Sequence, residues 1–146
     1  MARVLVLEDS ETRIAWFKRA LIGHNATFVE NVADAISACG KMNWDLICLD
    51  HDLVPEHYGL YMNDDDEVYR REMSRVKPPT GFRFAEWLSG SNAMHVEPKT
   101  KVLIHTLNPA GQKAMKKFLP HAKVINFERL KKLNANAADS ISFLLE

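Results

Sequence analysis

Hydrophobic positions along this chain follow two rhythms. Unbroken apolar runs occur at Arg3–Leu7 (RVLVL), Asp45–Leu49 (DLICL) and Lys101–Ile104, with shorter ones at Thr27–Val29 and Lys123–Phe127. Runs of this length without a polar alternate predict strands buried on both faces. Between them the apolar residues recur at helical spacing. Ser10 offers a cap for a helix carrying Ile14, Phe17, Lys18 and Leu21 that stops at Gly23. Asn31 caps a second with Val32, Ala35, Ile36 and Cys39, ended by Gly40. Asn108-Pro109 starts another, since proline at the first helical position gives up no needed donor; Met115, Phe118 and Leu119 follow before Pro120. Glu128 to Glu146 reads as a broken helical segment.

Strands alternating with helices predict an α/β fold, a doubly wound sheet of five mostly parallel strands. One domain spanning 1–146 accommodates all of it. Ligands on such sheets bind beyond the carboxyl ends of the strands, where the strand order reverses, so the residues just after each strand are the candidates for chemistry. The segment 51–80 breaks the rhythm. It has no strand pattern and holds the acidic run Asn63-Asp64-Asp65-Asp66-Glu67, then Arg70, Arg71, Arg75 and Lys77. Residues 65–76 suit a short helix with acidic residues early and basic ones late. A long loop after the third strand is expected to act as a partly ordered lid over the strand ends.

Composition narrows the classes. The 146 residues carry 19 basic and 19 acidic side chains, so no basic excess marks a binder of long nucleic acid. Lys113, Lys116, Lys117, Lys131 and Lys132 do gather late in the sequence, which keeps short RNA ends in view. Cys39 and Cys48 sit among apolar neighbours without a disulfide framework and read as buried thiols. No apolar stretch reaches the length of a membrane span, and the N-terminus has no signal-peptide core, so a cytoplasmic location without membrane partners is expected. The oligomeric state is not readable.

The chemistry-bearing residues follow the strands: Glu8 and Asp9 after the first, Asp50, His51 and Asp52 after the third, His105, Thr106 and Asn108 after the fourth. Two carboxylates about 4 Å apart repel by roughly 4 kcal/mol at an effective dielectric near 20. Several in one pocket therefore call for a cation. Carboxylates favour Mg²⁺ or Mn²⁺, and imidazole ligands widen the choice to Fe²⁺ or Zn²⁺. His51 and His105 suit ligand or proton-transfer roles, and the helix opening at Asn108 suits a phosphate oxygen. His24, His57, His95 and His121 read as peripheral, and Trp16, Trp44 and Trp87 as packing residues.

The segment Val4-Leu5-Val6-Leu7-Glu8-Asp9 resembles the first strand and acidic pair of two-component receiver domains. Asp45-Leu46-Ile47-Cys48-Leu49-Asp50 resembles their phospho-acceptor strand, Thr106 the hydroxyl residue after strand four, and Gly81 the glycine opening their third helix. This implies a receiver (flavodoxin-like) fold in which Asp9 and Asp50 bind Mg²⁺, Glu8 supports them and Asp52 adds its carbonyl. The lysine that receivers carry at the end of strand five is missing, for Val124-Ile125-Asn126-Phe127 offers none and Lys123 lies at the other end.

Leu49-Asp50-His51-Asp52-Leu53, Thr80-Gly81 with Ala85 and Trp87-Leu88, and His105-Thr106-x-Asn108 with Gly111 are more similar to a receiver relative, the cyclic-phosphate-processing receiver-like domain. That resemblance implies metal-dependent hydrolysis of a cyclic phosphodiester, a 2′,3′-cyclic RNA end or a cyclic nucleotide. Glu8, Asp9, Asp50 and Asp52 would form the metal shell, Asp50, His51 and His105 the catalytic set with His105 protonating the leaving oxygen, and Thr106 and Asn108 the phosphate contacts. Two alternatives stand beside it. One is a signalling receiver phosphorylated on Asp50; the other is a catalytically silent module that binds a cyclic nucleotide or a partner.

Overall fold

The computed structural model describes residues 1–54, 57, 66–90, 100–133 and 142–145. Five parallel strands, β1 (Arg3–Leu7), β2 (Asn25–Val29), β3 (Leu46–Leu49), β4 (Lys101–Ile104) and β5 (Lys123–Val124), form one sheet in the order β2-β1-β3-β4-β5. Helices α1 (Glu11–Ala20), α2 (Val32–Cys39), α3 (Asp66–Arg75), α4 (Gly81–Ser89), α5 (Pro109–Phe118) and α6 (Phe127–Leu133) cover it, with a 3₁₀ turn at Ser142–Leu144. The predicted caps are in place: Ser10 Oγ accepts from the Arg13 amide, Asn31 Oδ1 from Asp34 and Asn108 Oδ1 from Gly111.

Strand alternation sorts the core into two layers. Val4, Val6, Leu46, Cys48 and Leu103 pack with Phe17 of α1 and Phe127 and Leu130 of α6. Leu5, Leu7, Ile47, Leu49 and Ile104 pack under Ala35 of α2, Tyr69 and Met73 of α3, Phe84 of α4 and Met115 of α5. Both faces are dry, which is why these strands read as unbroken apolar runs. Cys39 and Cys48 are buried free thiols, and burial pushes Cys39 up to about 12. No described helix is long and apolar enough to cross a membrane.

Four expectations change. β2 starts at Asn25, because Arg3 of β1 pairs with it. The first helix ends at Ala20 rather than near Gly23, with Leu21 closing its last turn. β5 ends at Val124, since Asn126 Oδ1 accepts the Arg129 amide at 2.9 Å and so caps α6, which Phe127 opens. His57 is buried rather than peripheral: Nδ1 accepts the Leu53 amide at 2.9 Å, and Nε2 donates to the Pro78 carbonyl at 2.6 Å. Residues 55, 56 and 58–65 of the inserted segment, with most of its acidic run, lie outside the described residues, as does His95. The helix expected at 65–76 is α3, and it turns Tyr69 and Met73 into the core.

Candidate active site at the strand ends

The alternation that builds the two core layers continues past the strand ends. Glu8 and Asp50 keep the phase of Val6 and Cys48, and His105 that of Leu103, so these three face the α1 layer. His51 keeps the phase of Leu49 and faces α3 and α5. Neighbouring residues Asp50 and His51 thus serve opposite sides of the sheet.

On the α1 side, Glu8, Asp50 and His105 are all buried, and their donor atoms lie within 4.8 Å of one another. His105 Nε2 stands 3.1 Å from Glu8 Oε1, and its ring packs edge-on against Phe17. Glu8 Oε2 accepts the amides of Asp9 and Ser10. Arg13 of α1 brings Nη1 to 3.3 Å from Asp50 Oδ2 and 3.6 Å from Glu8 Oε1, its guanidinium resting on the Phe127 ring. The cation that crowded carboxylates demand is thus supplied in part by the chain itself.

The electrostatics record this crowding. Burial alone would raise Glu8, but the hydrogen bond and charge of His105, the Ser10 amide and Arg13 outweigh it and hold the carboxyl below its ordinary value. Burial, then the Glu8 charge, holds Asp50 well above the ordinary carboxylate range against the pull of Arg13, the His51 amide and Thr106. Burial and the Glu8 charge push Asp9 up to about 6. Among the described residues Asp9 Oδ1 has no hydrogen-bond partner, and it is buried. Glu8, Asp50 and His105 form a donor set that fits a divalent cation, and the Asp9 carboxyl lies outside that cluster, next to Glu8.

On the other side, His51 Nδ1 lies 2.7 Å from Asp52 Oδ1, and its Nε2 lies 2.5 Å from the Tyr69 hydroxyl. Asn108 Nδ2 sits 3.3 Å from Nδ1. The His51 ring lies so close to α5 that a Cβ on Gly111 would stand 2.7 Å from its Cδ2. The backbone here is equally tight. The Gly81 amide donates to the His51 carbonyl at 2.8 Å, and a Cβ on Gly81 would fall 1.7 Å from the Asp50 carbonyl oxygen.

A cavity of about 270 Å³ opens on this edge, lined by Arg13, Asp50, Asp52, Thr106, Leu107, Asn108 and Pro109. It is bounded by the positive end of α5. Asp50, Asp52, Thr106 and Asn108 therefore reach the cavity, whereas Glu8 and Asp9 do not line it. His51 lies behind Asp52, and His105 lies behind Glu8. Asp52 is held by His51 and stands outside the Glu8–Asp50–His105 cluster.

Sequence reasoning missed Arg13 and Tyr69. Arg13 had a faint signal, a basic residue in the first turn after an acidic pair. Tyr69 had none, because its partner lies 18 residues away. Of the arginines on α3, Arg70 pairs with Glu86 and lies over Phe118, whereas Arg71 and Arg75 are exposed. The late lysines do not form one patch, since α5 and α6 cover opposite faces of the sheet.

The order 2-1-3-4-5, with acidic residues gathered where it reverses, defines the receiver class of α/β domains. The chain belongs to the Cyclic-phosphate processing Receiver domain family, whose sequence pattern it matches over residues 3–121. Solved structures agree on the fold. The CheY4 chemotaxis protein of Vibrio cholerae superposes with a TM-score of 0.61 at 17% identity, covering 99% of this chain and 96% of that one. The receiver domain of the sensor histidine kinase PA1611 from Pseudomonas aeruginosa, solved with magnesium in its active-site cleft, gives 0.58 at 13% identity over 99% and 93%. A response regulator of Burkholderia pseudomallei, solved with a phosphorylated aspartate and calcium, gives 0.62 at 16% identity over 100% and 67%. No curated protein sequence is similar to this one.

Proposed function

We propose that this domain is a metal-dependent phosphoesterase that hydrolyses a cyclic phosphodiester, a 2′,3′-cyclic RNA end or a nucleoside cyclic phosphate. The observation that carries the reading is that the Glu8–Asp50–His105 donor set and the Asp52–His51 pair reach one cavity through Asp50 and Asp52, in a chain of this family. Glu8, Asp9 and Asp50 would hold Mg²⁺ or Mn²⁺, with Asp52 a further carboxylate at the cavity; when bound, the cation would neutralise phosphate charge and acidify a water. Arg13, reaching the cavity beside Asp50, takes a phosphate oxygen. Thr106 and Asn108, at the start of α5, take another. Asp52 faces the cavity with His51 directly behind it, and this pair takes the proton of the attacking water and passes it to the leaving ribose oxygen. His105 keeps Glu8 ionised and oriented; to deliver a proton itself, its ring must first part from Glu8. The protein acts on small nucleotide or RNA-end substrates in the cytoplasm.

The test is turnover of nucleoside 2′,3′-cyclic phosphates and cyclic-ended oligonucleotides, with EDTA and then with Mg²⁺ or Mn²⁺ restored. Hydrolysis that needs the metal and disappears in Asp50→Asn is expected. Full activity in EDTA, or in that variant, overturns the mechanism. A second reading, phosphoryl transfer to Asp50 as in signalling receivers, draws on the position of Asp50 at the end of β3. Against it, Lys123 points away, its Nζ donating to the Phe143 carbonyl at 2.8 Å. Labelling of wild type but not Asp50→Asn by a small phosphodonor, without hydrolysis, would favour it.

A further inference from the structure

Tyr69 belongs to no strand-end motif. It comes from α3, within the segment that joins β3 to α4, and is buried against Phe82, the two rings edge to face at 5.5 Å. Packing of that kind asks only for a phenyl ring. The hydroxyl is a separate feature, and a phenol group in a dry core costs stability unless it finds a partner. One partner is His51 Nε2, at 2.5 Å.

The other ring nitrogen decides the direction of that bond. Asp52 offers a carboxylate oxygen 2.7 Å from Nδ1, and a carboxylate only accepts, so Nδ1 carries the proton. Asn108 Nδ2 also approaches Nδ1, but its 3.3 Å contact is the longer and lacks charge assistance. On the neutral ring Nε2 then holds a lone pair, and the Tyr69 hydroxyl donates to it. We propose that Tyr69 is a positioning residue whose hydroxyl fixes His51 in the Nδ1–H tautomer, with that proton directed at Asp52. Gly111 bounds the ring on its α5 side, so the imidazole is set by Asp52, Tyr69 and α5 together. The inserted segment thus ends a buried Asp52–His51–Tyr69 chain besides any role as a cover. The catalytic consequence rests on the phosphoesterase reading above; the tautomer does not.

The experiment uses the full chain, uniformly ¹⁵N-labelled, with imidazole ring nitrogens read by two-bond ¹H–¹⁵N correlation and His51 identified by its loss in His51→Gln. Wild type is expected to show a protonated Nδ1 and an unprotonated, hydrogen-bonded Nε2. Tyr69→Phe, which keeps the ring packing, is expected to shift Nε2 and to populate both tautomers. A wild-type ring protonated at Nε2 alone, or an unchanged His51 pattern in Tyr69→Phe, overturns the proposal. In the same variant kcat on a nucleoside 2′,3′-cyclic phosphate should fall by roughly tenfold with KM unchanged, less than the roughly 100-fold or more lost with an acid–base group itself. The expected spectra without turnover in wild type would uphold Tyr69 and remove the phosphoesterase reading. Turnover with the Tyr69→Phe spectrum unchanged would do the reverse.

Discussion

Glu8 and His105, 97 residues apart in the chain, meet at 3.1 Å with neither side chain exposed. The first prediction follows from the sign of the Glu8 shift. A carboxyl held below its ordinary value contributes stability that is present above pH 4.5 and is lost as pH falls through the lowered folded value. His105→Ala removes the hydrogen bond and charge that lower Glu8 and leaves burial, which raises it. Urea unfolding should show a loss of about 3–5 kcal/mol at pH 7, typical of a broken buried pair. The deficit relative to wild type should shrink toward pH 4, and a deficit independent of pH would contradict the assignment.

Asp9 carries the opposite sign. Its carboxyl is raised from 3.8 to about 6, so it costs stability that develops as pH rises across that interval. Asp9→Asn should be more stable than wild type at pH 7.5 and no more stable at pH 3.5, as read by denaturant midpoints without metal.

Divalent cations should reverse that penalty. Binding to the native state alone stabilises by about 2.7 kcal/mol at a concentration a hundredfold above Kd. Mg²⁺ or Mn²⁺ should therefore raise the melting temperature of wild type, EDTA should return it, and Asp50→Asn should show no response. An equal shift in Asp50→Asn would place the ion elsewhere.

Two glycine substitutions separate stability from activity. Gly81→Ala would set its Cβ 1.7 Å from the Asp50 carbonyl oxygen, a backbone atom that cannot step aside. A loss of about 3 kcal/mol or more, at the high end for overpacking, is expected in urea unfolding. Gly111→Ala meets a side chain, the His51 ring with Cδ2 at 2.7 Å and Cγ at 2.8 Å, and must push it off its contacts with Asp52 and Tyr69. It should stay folded yet lose up to about 100-fold in kcat/KM, the scale of an ångström-sized misplacement.

Arg13→Ala should weaken substrate binding. Loss of one charge-assisted bond to phosphate amounts to about 1.5–3 kcal/mol, or roughly 10- to 150-fold in kcat/KM. The same substitution should raise the Asp50 carboxyl further, because Arg13 opposes burial and Glu8 there. Unchanged kinetics would confine Arg13 to a structural role.

The order of the elements and the strand-end residues were legible because each signal is local. RVLVL and DLICL announce doubly buried strands, and Ser10, Asn31 and Asn108 sit where they cap. The short β5 was not, since Ile125 and Asn126 read as strand until the helix after them claims Asn126 as its cap. His57 reads as peripheral because its bonds to Leu53 and Pro78 depend on how the inserted segment returns to the domain. The division of the site into a Glu8–Asp50–His105 side and an Asp52–His51–Tyr69 side needed the phase of three strands at once, which no single window contains.

The alternation of Asp50 and His51 across the sheet carries an evolutionary consequence. A descendant can rebuild the helices over His51 while the acidic cluster under α1 stays intact. The reverse is equally open. Inserting one residue between Leu49 and Asp50, in contrast, would send both Asp50 and His51 to the wrong layer and abolish both halves together. Drift in this lineage should therefore appear as substitutions within the two layers and not as single-residue insertions or deletions at the end of β3.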